Sequence, residues 1–67
     1  MTMIAYVELL LEAAGISVPR VQIENVYEDG RLPDVIRKLE SALDRRVVTR
    51  LRGRLSAADL AEVEAGL

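Results

Sequence analysis

The sequence predicts an all-α fold, a small bundle of three to four short helices, from three observations. Hydrophobic residues make up 51% of the 67 residues and aromatic residues only 3%, which is typical of helical cores built from Leu, Val, Ile and Ala. Apolar residues recur at helical spacing over most of the chain. Isolated glycines and prolines separate these periodic stretches and mark helix ends.

The length predicts a single helical domain over residues 1–67. So short a chain buries a small fraction of its surface, and therefore needs a staple or a partner for stability. It contains no cysteine and no histidine, which excludes disulfides and removes the usual ligands of a structural zinc ion. Close helix packing or oligomerisation remains as the source of stability.

The first helix is predicted from Thr2, as N-cap, to Ala14, with Gly15 following as the C′ residue. Two neighbouring apolar stripes cover well over half of its circumference, and only Glu8 and Glu12 mark a solvated strip. A small chain has few elements with which to bury such a helix, so we expect a second copy to pack against it. The expected homodimer interface comprises Ile4, Val7, Leu10 and Leu11.

The segment from residue 16 to residue 29 is ambiguous between strand and helix. Alternating apolar residues from Ile16 to Ile23 fit a short strand. Ser17 as N-cap and Pro19 in the first turn favour a helix, which we prefer, although residues 18–26 stay open between the two. The pair Asp29–Gly30 predicts a turn that closes this element.

A third helix is expected to begin with Pro33 at its first position and Asp34 in its first turn. Its apolar residues recur every three or four positions and form one continuous face: Leu32, Ile36, Leu39, Leu43, Val47 and Leu51. The β-branched run 47–49 lowers helix propensity, so residues 46–52 stay open between helix and extended chain. After Gly53, Ser56 is the predicted N-cap of a last helix from Ala57 to about Ala65.

The charge distribution is segmented, although the net charge is only −2. Ten consecutive residues, 45–54, hold five arginines and no acid, and acidic stretches flank them on both sides. The predicted partner-binding residues are Arg45, Arg46, Arg50, Arg52 and Arg54. Guanidinium groups suit carboxylates of a partner or a second subunit, but they also suit phosphates, and a solvated basic face is an equal alternative.

The stretch Glu12-Ala13-Ala14-Gly15-Ile16-Ser17, followed by Val21, resembles the helix-turn-helix of bacterial repressors over residues 6–28. The resemblance implies that Gly15 is the turn glycine and that Ile16 and Val21 are packing anchors. The DNA-facing residues it implies are Arg20, Gln22 and Asn25. The alternative is an ordinary corner between two helices with a glycine cap.

The composition argues against an enzyme. Without histidine and cysteine, the commonest general base, the thiol nucleophile and the usual transition-metal ligands are missing, and the isolated glycines form no phosphate-binding loop. Glu24, Glu28 and Asp29 could face one cation, but a solvated acidic face is the better interpretation. We therefore expect no catalytic residues, no metal and no cofactor.

No apolar run approaches the roughly 20 residues that span a bilayer, and the apolar N-terminal residues have no basic stretch before them. A cytoplasmic protein is expected, with no membrane partner. The function predicted from the sequence is a non-enzymatic interaction module, an adaptor, docking protein or antitoxin-like regulator, that acts as a homodimer and binds a partner protein. The alternative is a small helix-turn-helix regulator of transcription that binds DNA.

Overall fold

The computed structural model describes residues 2–67 and forms five α-helices. They are α1 (Thr2–Ala14), α2 (Arg20–Glu28), α3 (Leu32–Ala42), α4 (Arg45–Gly53) and α5 (Ala57–Gly66). No strand occurs within the described range. The all-α prediction is confirmed, while the predicted number of three to four helices is too low.

Helix α1 is the centre of the bundle and contacts each of the other four helices. Six of its residues belong to the core, among them the four assigned from the sequence to a homodimer interface. Ile4 is 5% exposed, Val7 1%, Leu10 0% and Leu11 9%. The chain's own helices therefore cover the apolar surface for which a second copy was expected, and homodimerisation itself stays a prediction.

Two glycines end helices as their positions predicted. Gly15 adopts a φ of 72°, and the next amide, that of Ile16, donates to the Leu11 carbonyl at 2.9 Å. Gly30 adopts a φ of 73°, and the Arg31 amide donates to the carbonyl of Val26 at 3.1 Å. In each case the residue after the glycine donates to a carbonyl five residues earlier, which would otherwise have no partner at the end of the helix. Glycine adopts the positive φ that this turn requires without steric cost.

Two predicted N-caps are wrong. Thr2 lies within α1, where its hydroxyl donates to Glu62 on α5 at 2.9 Å. Ser17 precedes α2 by three residues, because the helix begins at Arg20. Proline disfavours helical backbone in the residue before it, and Pro19 itself stands extended at the N-cap position with a ψ of 140°. Of residues 18–26, whose conformation the sequence left open, only those from Arg20 onward are therefore helical.

The helix expected to begin at Pro33, with an apolar face continuing to Leu51, is broken in two. Leu43 is extended, with φ −96° and ψ 156°, and the Asp44 carboxylate then caps α4 by accepting the Arg46 amide at 2.7 Å. Residues 46–52 are helical, although they belong to α4. The predicted apolar face nevertheless packs on the core throughout, with Leu32, Ile36 and Leu51 buried and the rest partly buried.

The start of α5 matches its prediction. The Ser56 hydroxyl accepts the Asp59 amide at 3.1 Å, and the helix runs from Ala57 to Gly66. Pro33, expected at the first position of α3, stands one residue further in because the helix begins at Leu32. None of the helices between residues 2 and 67 is both long enough and apolar enough to cross a membrane.

Candidate interaction surfaces

Arg52 differs from the other four arginines in its segment because carboxylates of the same chain bind its guanidinium group. Its Nε donates to Glu40 Oε2 at 2.9 Å and its Nη2 to Glu40 Oε1 at 3.0 Å, a two-pronged bond between α4 and α3. Its Nη1 also lies 3.8 Å from a carboxylate oxygen of Glu64 on α5. Of the five predicted partner-binding residues, Arg52 thus has a structural role.

The same carboxylate is bound from a third helix. The Tyr6 hydroxyl on α1 donates to Glu40 Oε2 at 2.5 Å, and Tyr6 is fully buried. We call Tyr6, Glu40 and Arg52 the polar triad. It joins α1, α3 and α4 through hydrogen bonds of defined geometry at the edge of an otherwise apolar core.

The triad changes the titration of its members. Burial raises the pKa of Tyr6 to about 12, and its hydrogen bond to Glu40 adds to that rise. Burial alone would raise the pKa of Glu40, but hydrogen bonds from Arg52 and Tyr6, with the charge of Arg52, outweigh it and lower that pKa. The hydrogen bonds to Glu40 raise the pKa of Arg52. All three groups are therefore held in the protonation state that maintains the triad near neutral pH.

The remaining four arginines form an exposed basic surface, which we call the α4 face: Arg45, Arg46, Arg50 and Arg54. None of their guanidinium nitrogens lies within 4.0 Å of a carboxylate oxygen among residues 2–67. Arg46 and Arg50 stand one helical turn apart and so point to the same side of α4, while Leu51 points into the core. Four guanidinium groups are thus available to a partner.

The three candidate DNA-facing residues all lie exposed on α2. At about 100° per residue, Gln22 and Asn25 share one side of the helix, while Arg20 stands on the other. A nitrogen of Arg20 lies 3.5 Å from Glu8 on α1. The packing anchors implied by the helix-turn-helix resemblance, Ile16 and Val21, are 48% and 60% exposed. The resemblance itself stays a prediction.

An apolar groove that was not predicted from the sequence lies between α1, α2 and α3. It encloses about 380 Å³, and its lining consists of Val7, Leu11, Val18, Gln22, Ile23, Asn25, Val26, Leu32 and Val35. The two amides are its only polar lining residues, and neither side chain forms a hydrogen bond with the described chain. The feature of the sequence that could have indicated this groove is the number of valines on and around the short helix α2.

A second, more open hollow of about 580 Å³ adjoins this groove. The two share Leu11, Val18 and Ile23, and the second one also has Glu8 and Glu12 in its lining. Glu24 and Glu28 lie exposed on α2. Across residues 2–67, acidic side chains form no group of three or more that could hold a metal ion.

No protein-family model, curated protein or solved structure matches this chain. Its function is therefore inferred from the surfaces described above.

Proposed function

We propose that this protein is a non-enzymatic interaction module that binds an acidic partner protein through the α4 face. One observation carries the proposal: the guanidinium groups of four exposed arginines, three on α4 and one at its C-cap, have no carboxylate oxygen within 4.0 Å in residues 2–67. The fifth arginine of the segment, Arg52, is engaged by Glu40 and holds the helix against the bundle. The backbone that carries the exposed arginines is therefore held in place before a partner arrives, which lowers the entropic cost of binding.

Carboxylates fit this surface better than nucleic acid does. Arg46 and Arg50 present two planar forks one turn apart, and each can bind a carboxylate through two parallel hydrogen bonds. An acidic helix with carboxylates one turn apart offers the complementary spacing. The segment 45–54 has no aromatic residue to stack on bases, and the net charge of −2 gives no general attraction to nucleic acid.

The double variant Arg46→Glu/Arg50→Glu tests the proposal in a pull-down from host lysate. We expect it to lose an acidic protein that the unaltered chain captures, while its far-ultraviolet circular dichroism stays unchanged. Arg31→Glu/Lys38→Glu is the matched control, because it reverses two exposed charges outside α4. Capture that survives in the α4 variant, or that is lost equally in the control, would contradict the proposal.

A DNA-binding regulator is the second candidate, and one observation favours it: α2 is helical, with Gln22 and Asn25 exposed on one side, although Arg20 lies on the other. Such a regulator would bind duplex DNA with an affinity that falls steeply as salt rises. Gel shifts at low salt test this. Absence of a shift at tens of micromolar protein would eliminate the candidate.

Homodimerisation also stays a prediction from the sequence. Ile4, Val7 and Leu10 are buried within one chain, so they could meet a second copy only if the bundle opened. A dimer of the folded chain would need a different, exposed surface. Light scattering of the purified protein at tens of micromolar tests the prediction directly.

A further inference from the structure

We propose that the α4 face also binds a second copy of this chain, through two carboxylates on helix α2 of that copy. These are Glu24 and Glu28, which we call the α2 pair. The proposal rests on the proposed function, because it requires the α4 face to bind carboxylates, and it names one partner of that face. It also supplies the exposed surface that a dimer of the folded chain would need.

The α2 pair is exposed and has no basic partner in its own chain. Within residues 2–67, no arginine or lysine nitrogen lies within 4.0 Å of the carboxylate of Glu24 or Glu28. Neither residue lines the groove or the adjoining hollow. On a helix with about 100° per residue, they stand about 100° and about 140° from the buried Ile23. They therefore face solvent, where a second molecule can reach them.

The spacing of the α2 pair matches that of two arginines in the α4 face. Glu24 and Glu28 stand four residues apart on α2, and Arg46 and Arg50 stand four residues apart on α4. Four residues rise about 6 Å along any α-helix, so the two ion pairs can form at once, whether the helices run parallel or antiparallel. Each guanidinium group can then bind its carboxylate through two hydrogen bonds.

No other pair of acids in the described chain offers this arrangement. Between residues 2 and 67, the only other acids four residues apart on one helix are Glu8 and Glu12 on α1. Glu8 is already engaged, because a nitrogen of Arg20 lies 3.5 Å from its carboxylate. The α2 pair is therefore the acidic site of this chain that best complements the α4 face.

The attraction is local to the α2 pair, since bases also occur on this part of the surface. Arg31, at the N-cap of α3, and Lys38, on α3, are both exposed. Neither has a nitrogen within 4.0 Å of the α2 pair. These two bases repel arginines that approach α3, so they direct the α4 face of a second copy toward α2.

The two helices can also approach each other closely. Thr49 and Gly53 lie exposed beside Arg46 on α4, and a Cβ added to Gly53 would meet nothing within 4 Å. On α2, Val21 stands one turn before Glu24 on the same side, is 60% exposed, and lines neither hollow. A contact between the helices would bury this valine against small residues, which adds an apolar contribution to the ion pairs.

Light scattering of the purified chain tests the proposal first. Exposed ion pairs contribute little individually, so we expect association only at hundreds of micromolar protein and low salt. The contact joins two different surfaces, so it either closes a two-fold dimer or continues as a short chain, and both raise the mean mass. This mass should exceed that of one chain in about 20 mM salt and return to it in about 500 mM salt.

Two outcomes of this measurement would overturn the proposal. One is a mean mass that stays at that of one chain in low salt. The other is association that persists in high salt, because salt screens ion pairs but does not weaken apolar contacts. Such association would indicate that the apolar groove, and not the α2 pair, meets the second copy.

Two double variants identify the two faces: the α2 variant, Glu24→Arg/Glu28→Arg, and the α4 variant, Arg46→Glu/Arg50→Glu. Each brings like charges together, so each should lower the association constant at least about tenfold. Mixed in equal amounts, the two variants should regain most of the association, since each offers the charge that the other lacks. Circular dichroism confirms that each variant folds. Unchanged association in either variant, or no recovery in the mixture, would refute the assignment.

Each variant has a control with the same net charge. The α2 variant changes the net charge from −2 to +2, and so does Glu12→Arg/Glu62→Arg. The α4 variant changes it to −6, and so does Arg31→Glu/Lys38→Glu. The first control should associate within about twofold of the unaltered chain, and the second at least as well. A control that loses association as its variant does would show that net charge governs the effect, and the proposal would be wrong.

This proposal and the proposed function can fail separately. Self-association is measured on the purified chain, so it does not depend on an acidic protein in the host lysate. If the unaltered chain captures an acidic protein through the α4 face but does not self-associate, only the present proposal is wrong. If it self-associates through the two faces but captures nothing, only the external partner is wrong.

Discussion

At the scale of single residues, the polar triad accounts for a tyrosine in the middle of an aliphatic core. The phenol ring of Tyr6 is fully buried, and its hydroxyl reaches Glu40, which also accepts two bonds from Arg52. The Glu40 side chain is only 16% exposed, so hydrogen bonds must replace much of the water that its carboxylate loses, and each donor protects the network from the cost of an unsatisfied charge. Removing one donor should therefore cost more than a surface hydrogen bond would.

Tyr6→Phe should lower the free energy of unfolding by about 1 to 2 kcal/mol, because the partly buried Glu40 carboxylate loses one of its donors. Tyr27→Phe is the matched control: Tyr27 is 39% exposed and its hydroxyl has no hydrogen bond to residues 2–67. We expect that control to change the free energy by less than about 0.5 kcal/mol. Urea unfolding followed by circular dichroism measures both, and equal effects would show that the triad contributes nothing specific.

The lowered pKa of Glu40 makes part of the stability depend on pH. A carboxyl whose pKa is lower in the folded state binds its proton more readily when unfolded, so its contribution is present above the unfolded pKa of about 4.3 and is lost as pH falls below it. We expect the stability difference between the unaltered chain and Glu40→Gln to be constant near neutral pH and to shrink in acid. Urea titrations at several pH values measure it, and parallel curves would contradict the expectation.

Only part of the residue-scale picture was accessible from the sequence. The basic segment was recognised, but nothing in residue type distinguishes Arg52 from its four neighbours. The partners in the triad are separated by 34 and 12 residues, so they meet only because three helices pack together. The groove could not be predicted from the sequence for the same reason, since α1, α2 and α3 each supply part of its lining.

At the scale of helices, local signals located the ends that depend on local chemistry. Gly15, Gly30 and Ser56 behave as predicted because each acts through its own backbone or side chain. The prediction of Ser17 as an N-cap is wrong because Pro19, two residues further along the chain, determines where α2 begins. The break between α3 and α4 was missed because the apolar spacing continues across it, although Asp44 is a good N-cap residue and was the available signal.

Gly15→Ala should destabilise the fold by about 1 to 2 kcal/mol, because at the positive φ of this position the added Cβ comes too close to the backbone carbonyl oxygen. The matched control is Gly53→Ala, at the end of α4. Gly53 does not have a positive φ, and an added Cβ there meets nothing within 4 Å. This control should stabilise by about 0.4 to 1 kcal/mol through the unfolded chain. Thermal unfolding of both variants gives the signs, and shifts in the same direction would contradict the assignment.

At the scale of the molecule, one helix organises the rest. The sequence predicted that α1 is too apolar to be exposed, and this is confirmed by its six buried residues. It could not show what covers α1, because that depends on the turns between the later helices. The additional break at Leu43 gives two short helices in place of one long one, and both α3 and α4 then reach α1.

Because every other helix rests on α1, we expect the chain to unfold as one cooperative unit. The variant Tyr27→Phe tests this, since it leaves Tyr6, buried on α1, as the only aromatic fluorophore. Its tyrosine fluorescence should change at the same urea concentration as the helical circular dichroism signal. Loss of helical signal before the fluorescence transition would mean that outer helices separate from α1 independently.

The central position of α1 also has a consequence during synthesis. It precedes the four helices that bury it, and the last of them, α5, ends 52 residues later. At about 5 to 20 residues per second, the ribosome needs roughly 3 to 10 s to make that remainder. During that interval the most apolar helix of the chain has no complete set of neighbours. A nascent chain stalled before Ala57 should therefore be a good substrate for chaperones that bind apolar segments at the tunnel exit.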